Sequence, residues 1–178
     1  ADISVTSALG FLVSGLALTL WSGRSLARTL ATASAAAWRL PAAHSRVRLT
    51  AMATLSTVLF ATIAASSIFN RLREAGGVPA SLAAWTGVLA VVTVAWFLVM
   101  LTLPRATTDP GALLPGAVLF GVGYTVVAWF MQFYLPNRIA RSTDTLGGLA
   151  SVAATLGWFF LIGRLASGSF VVSAVTFE

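Results

Sequence analysis

An all-α fold, a polytopic transmembrane helix bundle with about five spanning helices and one interfacial amphipathic helix, is what this 178-residue sequence predicts. Three observations carry the prediction. Charge is scarce, 9% of residues where a soluble domain carries about 25%. Hydrophobic residues make up 58% and the mean hydropathy is +0.91. The charges collect in short clusters between uncharged runs of about 20 residues, the length that crosses a bilayer as a helix. In hydrocarbon the backbone must satisfy its own polar groups, so these runs have to be helical, and the alternation of a membrane β-strand is absent. The length suits one compact transmembrane domain over residues 1–178 and leaves no room for a separate soluble one.

Five runs qualify as spans, about 3–22, 49–69, 82–103, 112–135 and 146–164 or beyond. Residues 23–40 are too polar to cross. At 100° per residue Arg24, Arg28 and Arg39 share a narrow arc and Leu26, Leu30, Ala33, Ala37 and Leu40 lie opposite, which predicts a helix in the headgroup plane. Trp38 is its expected interfacial anchor and Pro41 its stop. The remaining connections carry turn chemistry: Gly76-Gly77 and Pro79, Asp109-Pro110-Gly111, and Pro136-Asn137. The last uncharged stretch, Leu146 to Phe177, is too long for one simple span: as a single helix it would extend about 48 Å against a hydrocarbon core of about 30 Å.

All eleven basic residues are arginine. The net charge of +6 would suggest nucleic acid in a soluble protein. Arginines flanking apolar spans instead set topology and touch anionic headgroups, so no nucleic-acid partner is expected. Arg24, Arg28, Arg39, Arg46, Arg48 and Arg105 fall on one side, against Arg71, Arg73, Arg138 and Arg141 on the other. The positive-inside rule then puts the 23–48 connection in the cytoplasm. The absence of cysteine excludes disulfides, thiolate metal sites and cysteine nucleophiles. The start at Ala1-Asp2-Ile3, with neither methionine nor a basic leader, is expected to reflect processing or truncation.

Small and weakly polar residues mark faces that bind other helices in lipid. The fourth span shows such a stripe in Ala117, Gly121, Thr125, Ala128 and Gln132, and the second in Thr50, Thr54, Thr57 and Ala61. Each stripe has two readings, helix packing or the wall of a substrate path. Candidate substrate-lining residues are Gly121, Thr125, Gln132 and Arg164, and candidate membrane-interface residues are Arg24, Arg28, Trp38 and Arg39. Arg164 is the one arginine inside the final uncharged stretch. Either it sits near an interface, or it lies within the membrane facing a partner or cavity.

Gly111-Ala112-Leu113-Leu114-Pro115-Gly116-Ala117, the run Trp129-Phe130-Met131-Gln132-Phe133-Tyr134, and Leu146-Gly147-Gly148-Leu149-Ala150-Ser151 leading to Trp158 resemble the YihY/BrkB family. These are bacterial inner-membrane proteins once labelled ribonuclease BN. Leu103-Pro104 and Leu20-Trp21-Ser22 also look like the family pattern. The resemblance covers most of the chain and implies the later part of a family member of about six spans. It departs at Leu146, where the family often has tyrosine, and near Gly168, where the family's Gly-Ala-Glu is not cleanly present. That removes the basis for a late membrane carboxylate.

Phosphodiester hydrolysis needs a metal cluster or a paired acid and base. The chain offers His44 and the scattered acids Asp2, Glu74, Asp109, Asp144 and Glu178, with no phosphate loop or nucleophile elbow. No enzyme, metal or cofactor is therefore expected. The near absence of charge in the spans suits an apolar or amphipathic cargo, and the resemblance implies movement of envelope lipids. The expectation is a multi-pass transporter or exporter in the bacterial inner membrane, with a lipid substrate. The alternative is a non-catalytic scaffold or accessory subunit, with partners in a membrane complex or in a homo-oligomer.

Overall fold

The computed structural model describes residues 5–41, 76–146 and 148–177, with positions 62, 67, 69 and 71 besides. The predicted second span with its threonine stripe, and His44, lie outside the described residues apart from those single positions. Four long helices make up the described part: α1 (Val5–Ala37), α2 (Val78–Thr102), α3 (Leu114–Leu146) and α4 (Gly148–Phe177). A single 3-10 turn, Pro110–Leu113, leads into α3. Three segments are long and apolar enough to cross a membrane: Val78–Thr102, Pro110–Gln132 and Val152–Phe177. They correspond to the third, fourth and fifth predicted spans.

The expected division between a first span and an interfacial helix at residue 23 is not observed. α1 runs unbroken for 33 residues. The reason is local: charge marks where water begins, but Gly23 to Ala37 is rich in alanine and holds no proline, so nothing stops the helix there. It ends in a Schellman motif, in which the Leu40 amide donates to the Ala35 carbonyl (2.8 Å) and the Arg39 amide to that of Ala36 (3.2 Å). Arg39 takes the left-handed conformation this motif requires, φ 51°. Pro41 follows at the usual distance.

The buried face of α1 overlaps the expected one: Leu30 is buried, Ala33, Ala37 and Leu40 pack against the core, and only Leu26 of that face turns outward, 54% exposed. Ala27, Ala31, Ser34, Ala35 and Trp38 are buried beside them. The small residues among them let α1 approach its neighbours closely. Trp38 is buried by the protein: it is 8% exposed and meets the Phe177 ring edge-on at 5.9 Å. Ser34 Oγ donates to the Pro104 carbonyl across 2.8 Å, so the ends of α1, α2 and α4 share one end of the bundle with the start of α3.

The loop after α2 is held by its own side chains. Arg105 donates through Nε to the Thr107 carbonyl and through Nη1 to that of Leu101, covering the orphan carbonyls at the helix terminus. Asp109 accepts from the Gly111 amide at 2.8 Å and starts the 3-10 turn, with Pro110 at its first position. The expected turn at Pro136-Asn137 is a further correction, since α3 continues as helix to Leu146. Pro136 lies beyond the apolar stretch that closes at Gln132.

α3 and α4 are antiparallel neighbours, and α2 packs on α3. The core collects at the shared end: Val99, Met100 and Leu103 of α2, Leu113, Ala117 and Phe120 near the start of α3, and Ala166, Phe170 and Ala174 of α4, with Leu30, Ala31 and Trp38 of α1 against them. Large apolar side chains such as Val94, Leu98, Val126, Phe159 and Val175 point outward, as expected where the solvent is hydrocarbon.

Candidate functional site

Two features lie between α2, α3 and α4, and they grade into one another. At the packed end Trp96 Nε1 of α2 donates to Ser169 Oγ of α4 at 2.9 Å, and Ser169 Oγ in turn donates to the Ala166 carbonyl at 2.7 Å. Four residues on, Ser173 Oγ reaches the Leu113 carbonyl at 3.4 Å. Both serines are fully buried. Gly116 of α3 faces them so closely that a Cβ there would strike the Ser169 carbonyl and the Ser173 hydroxyl. The knot ties three helices through hydrogen bonds that would have no partner in lipid.

From this knot a ladder of rings leads along the bundle. Trp96 lies between Phe170 (5.8 Å) and Phe120 (3.9 Å, interplanar angle 11°). Phe120 continues to Tyr124 at 6.4 Å, and Tyr124 meets Trp158 of α4 edge-on at 5.7 Å. A cleft of about 300 Å³ opens there, lined by Ala128 and Met131 of α3 and Ala154, Thr155 and Trp158 of α4. Trp129, Phe130, Leu156 and Phe159, beside the lining residues in sequence, are exposed. Ala128 is fifteen residues past Leu113, roughly 22 Å along the helix, so the cleft belongs to the half of the membrane away from the packed end.

The expected lining residues are not gathered around this cleft. Gly121 is buried against Thr93, whose own hydroxyl donates to the Leu89 carbonyl. Thr125 is half-buried and donates back to the Gly121 carbonyl at 2.8 Å. Gln132 is exposed, next to Met131 of the lining. Arg164 projects from the outer side of α4, its guanidinium 5.5 Å from the Phe160 ring one turn back. Along α1, Arg24 and Arg28 are exposed, fifteen and eleven residues before the exposed Arg39 at the packed end, where Trp38 is buried.

Of the fourth span's stripe, Ala117 and Gly121 serve packing, and Ala128 forms part of the cleft wall. Sequence reasoning passed over Trp96, Ser169 and Ser173. Two serines four apart in an apolar stretch were a readable signal, since buried hydroxyls there need partners. The pairing with Trp96, 73 residues away, has no local signal.

The family model described as Virulence factor BrkB matches residues 2–176. No curated protein and no solved structure matches the chain.

Proposed function

Since the chain belongs to the BrkB virulence factor family and carries helices fit to cross a membrane, we propose that it transports a lipid or amphipathic envelope substrate. The substrate's apolar part lies in the α3–α4 cleft. The observation that supports this reading is the lining itself: Ala128, Met131, Ala154, Thr155 and Trp158 offer one hydroxyl, no charge and a broad aromatic wall. Such a wall suits an acyl or prenyl chain and repels a hydrated ion. On this reading it is a multi-pass protein of the bacterial inner membrane, with the cleft in the half of the bilayer away from the packed end.

Reconstitution tests it. Purified protein in liposomes is expected to speed the transbilayer movement of fluorescent phospholipid or lipid-linked sugar, and Ala154→Trp, which fills the cleft, is expected to slow it at least fivefold. Liposomes whose lipid exchange matches protein-free controls would sink the reading. A second reading, a scaffold subunit of a larger membrane complex, is favoured by one observation, the outward projection of Arg164.

A further inference from the structure

Arg164 is deep in the membrane, and its depth can be measured against the packed end. The Ser173 contact with the Leu113 carbonyl levels α4 with the start of α3, where the Arg105 and Asp109 loop marks the bilayer boundary. Arg164 is nine residues further in, about 14 Å along the axis, close to half of a ~30 Å hydrocarbon core. It is also midway along the apolar stretch Val152–Phe177. Its side chain bends toward Phe160, and about 6 Å of reach leaves it short of the headgroups on that side.

An arginine at that depth carries five N–H donors and a charge, and among the described residues its one recorded contact is the Phe160 ring. A ring face attracts the charge but accepts none of the five donors in a strong bond. A charged side chain at the centre of a spanning helix is costly unless it is paired. The natural complement is a carboxylate, which takes two of those donors in parallel. The sequence offers none within its uncharged runs: Asp2, Glu74, Asp109, Asp144 and Glu178 all lie outside them. A second copy would bring another arginine and no acid. The surface beside Arg164 admits a close neighbour, since a Cβ at Gly157 or Gly163 would meet nothing within 4 Å and Ala153 is exposed.

We propose that the outer face of α4 around Arg164 docks a membrane helix of a different protein, one that carries an aspartate or glutamate near the bilayer midplane and pairs it with the Arg164 guanidinium. This stands apart from the transport reading, because Arg164 lies on a different side of α4 from Ala154 and Trp158 of the cleft.

The test uses the full chain in its native membrane, with a photo-crosslinking residue in place of Ala153. The expected result is an adduct to a membrane protein that has an acid within a spanning helix. Arg164→Leu should lower the adduct at least tenfold, and Arg164→Lys should keep most of it. Arg164→Glu should abolish it, and changing the partner's acid to arginine should restore it. Thermal stability in detergent, unchanged in Arg164→Leu because the side chain packs on no core residue, separates lost docking from lost folding. Adducts to phospholipid alone, to a second copy of the chain, or to a protein without a membrane acid would overturn the proposal. So would an adduct indifferent to Arg164→Leu.

Discussion

The two halves of the α2–α3–α4 bundle are built from the same few residue types and do opposite things with them. In the packed half Gly116 and Gly121 let helices touch, and serines close the gap with hydrogen bonds to a tryptophan and a carbonyl. In the other half Ala128 and Ala154 line a cleft, with Trp158 forming much of its wall. Small residues permit close approach but do not cause it; the Trp96–Ser169 and Ser173–Leu113 bonds fix where the helices meet. Past Tyr124 the cleft lies between α3 and α4.

The largest effect should come from placing one methyl group at the tightest point. Gly116→Ala sets a Cβ against the Ser169 backbone carbonyl, which cannot rotate away as a side chain can, so α3 and α4 must separate. Overpacking of this kind costs about 1–3 kcal/mol, and a backbone neighbour puts this site at the upper end. Unfolding by steric trapping in bicelles or detergent measures it. A loss below about 0.5 kcal/mol would mean that the packed end is not the anchor of the bundle.

Trp96→Phe comes next. It keeps most of the ring between Phe120 and Phe170 and removes the Nε1 donor to Ser169. Ser169 still donates to the Ala166 carbonyl, so no buried hydroxyl proton is stranded. The expected loss is about 0.6–1.5 kcal/mol, the range of a single hydrogen bond in a protein interior or a membrane. A double-mutant cycle with Ser169→Ala should recover most of it as coupling energy. Additive losses would show that the stack, and not the hydrogen bond, holds α2 to α4.

These two sites also show what the sequence could and could not say. The spans were readable because hydrocarbon tolerates neither charge nor unsatisfied backbone, and the stripe Ala117-Gly121 was readable because close helix contact needs small side chains. The continuity of α1 through Arg24 and Arg28 was missed because charge reports the solvent around a helix and not the helix itself. The ring that covers Trp38 was not legible for a related reason: tryptophan suits both an interface and a core, and its contact is with Phe177, 139 positions later in the chain. The cleft was not readable at all. It is lined by residues of two helices, Ala128 and Met131 on one and Ala154, Thr155 and Trp158 on the other, and no local pattern in either marks the space they share.

Gly157→Ala is the counterpart of Gly116→Ala, the same substitution in the other half, and should have the smallest effect and the opposite sign. Nothing lies within 4 Å of a Cβ at Gly157, and its backbone is helical. Alanine is favoured over glycine in a helix by about 0.5–1 kcal/mol because it loses less backbone entropy on folding. A membrane reduces that figure, since the unfolded state in lipid is itself largely helical and the entropy difference shrinks with it. The isolated chain should therefore be stabilised by a few tenths of a kcal/mol, up to about 0.5. A destabilisation of more than about 0.5 kcal/mol in the purified monomer would mean that the outer face of α4 beside Arg164 is closed against the chain's own helices.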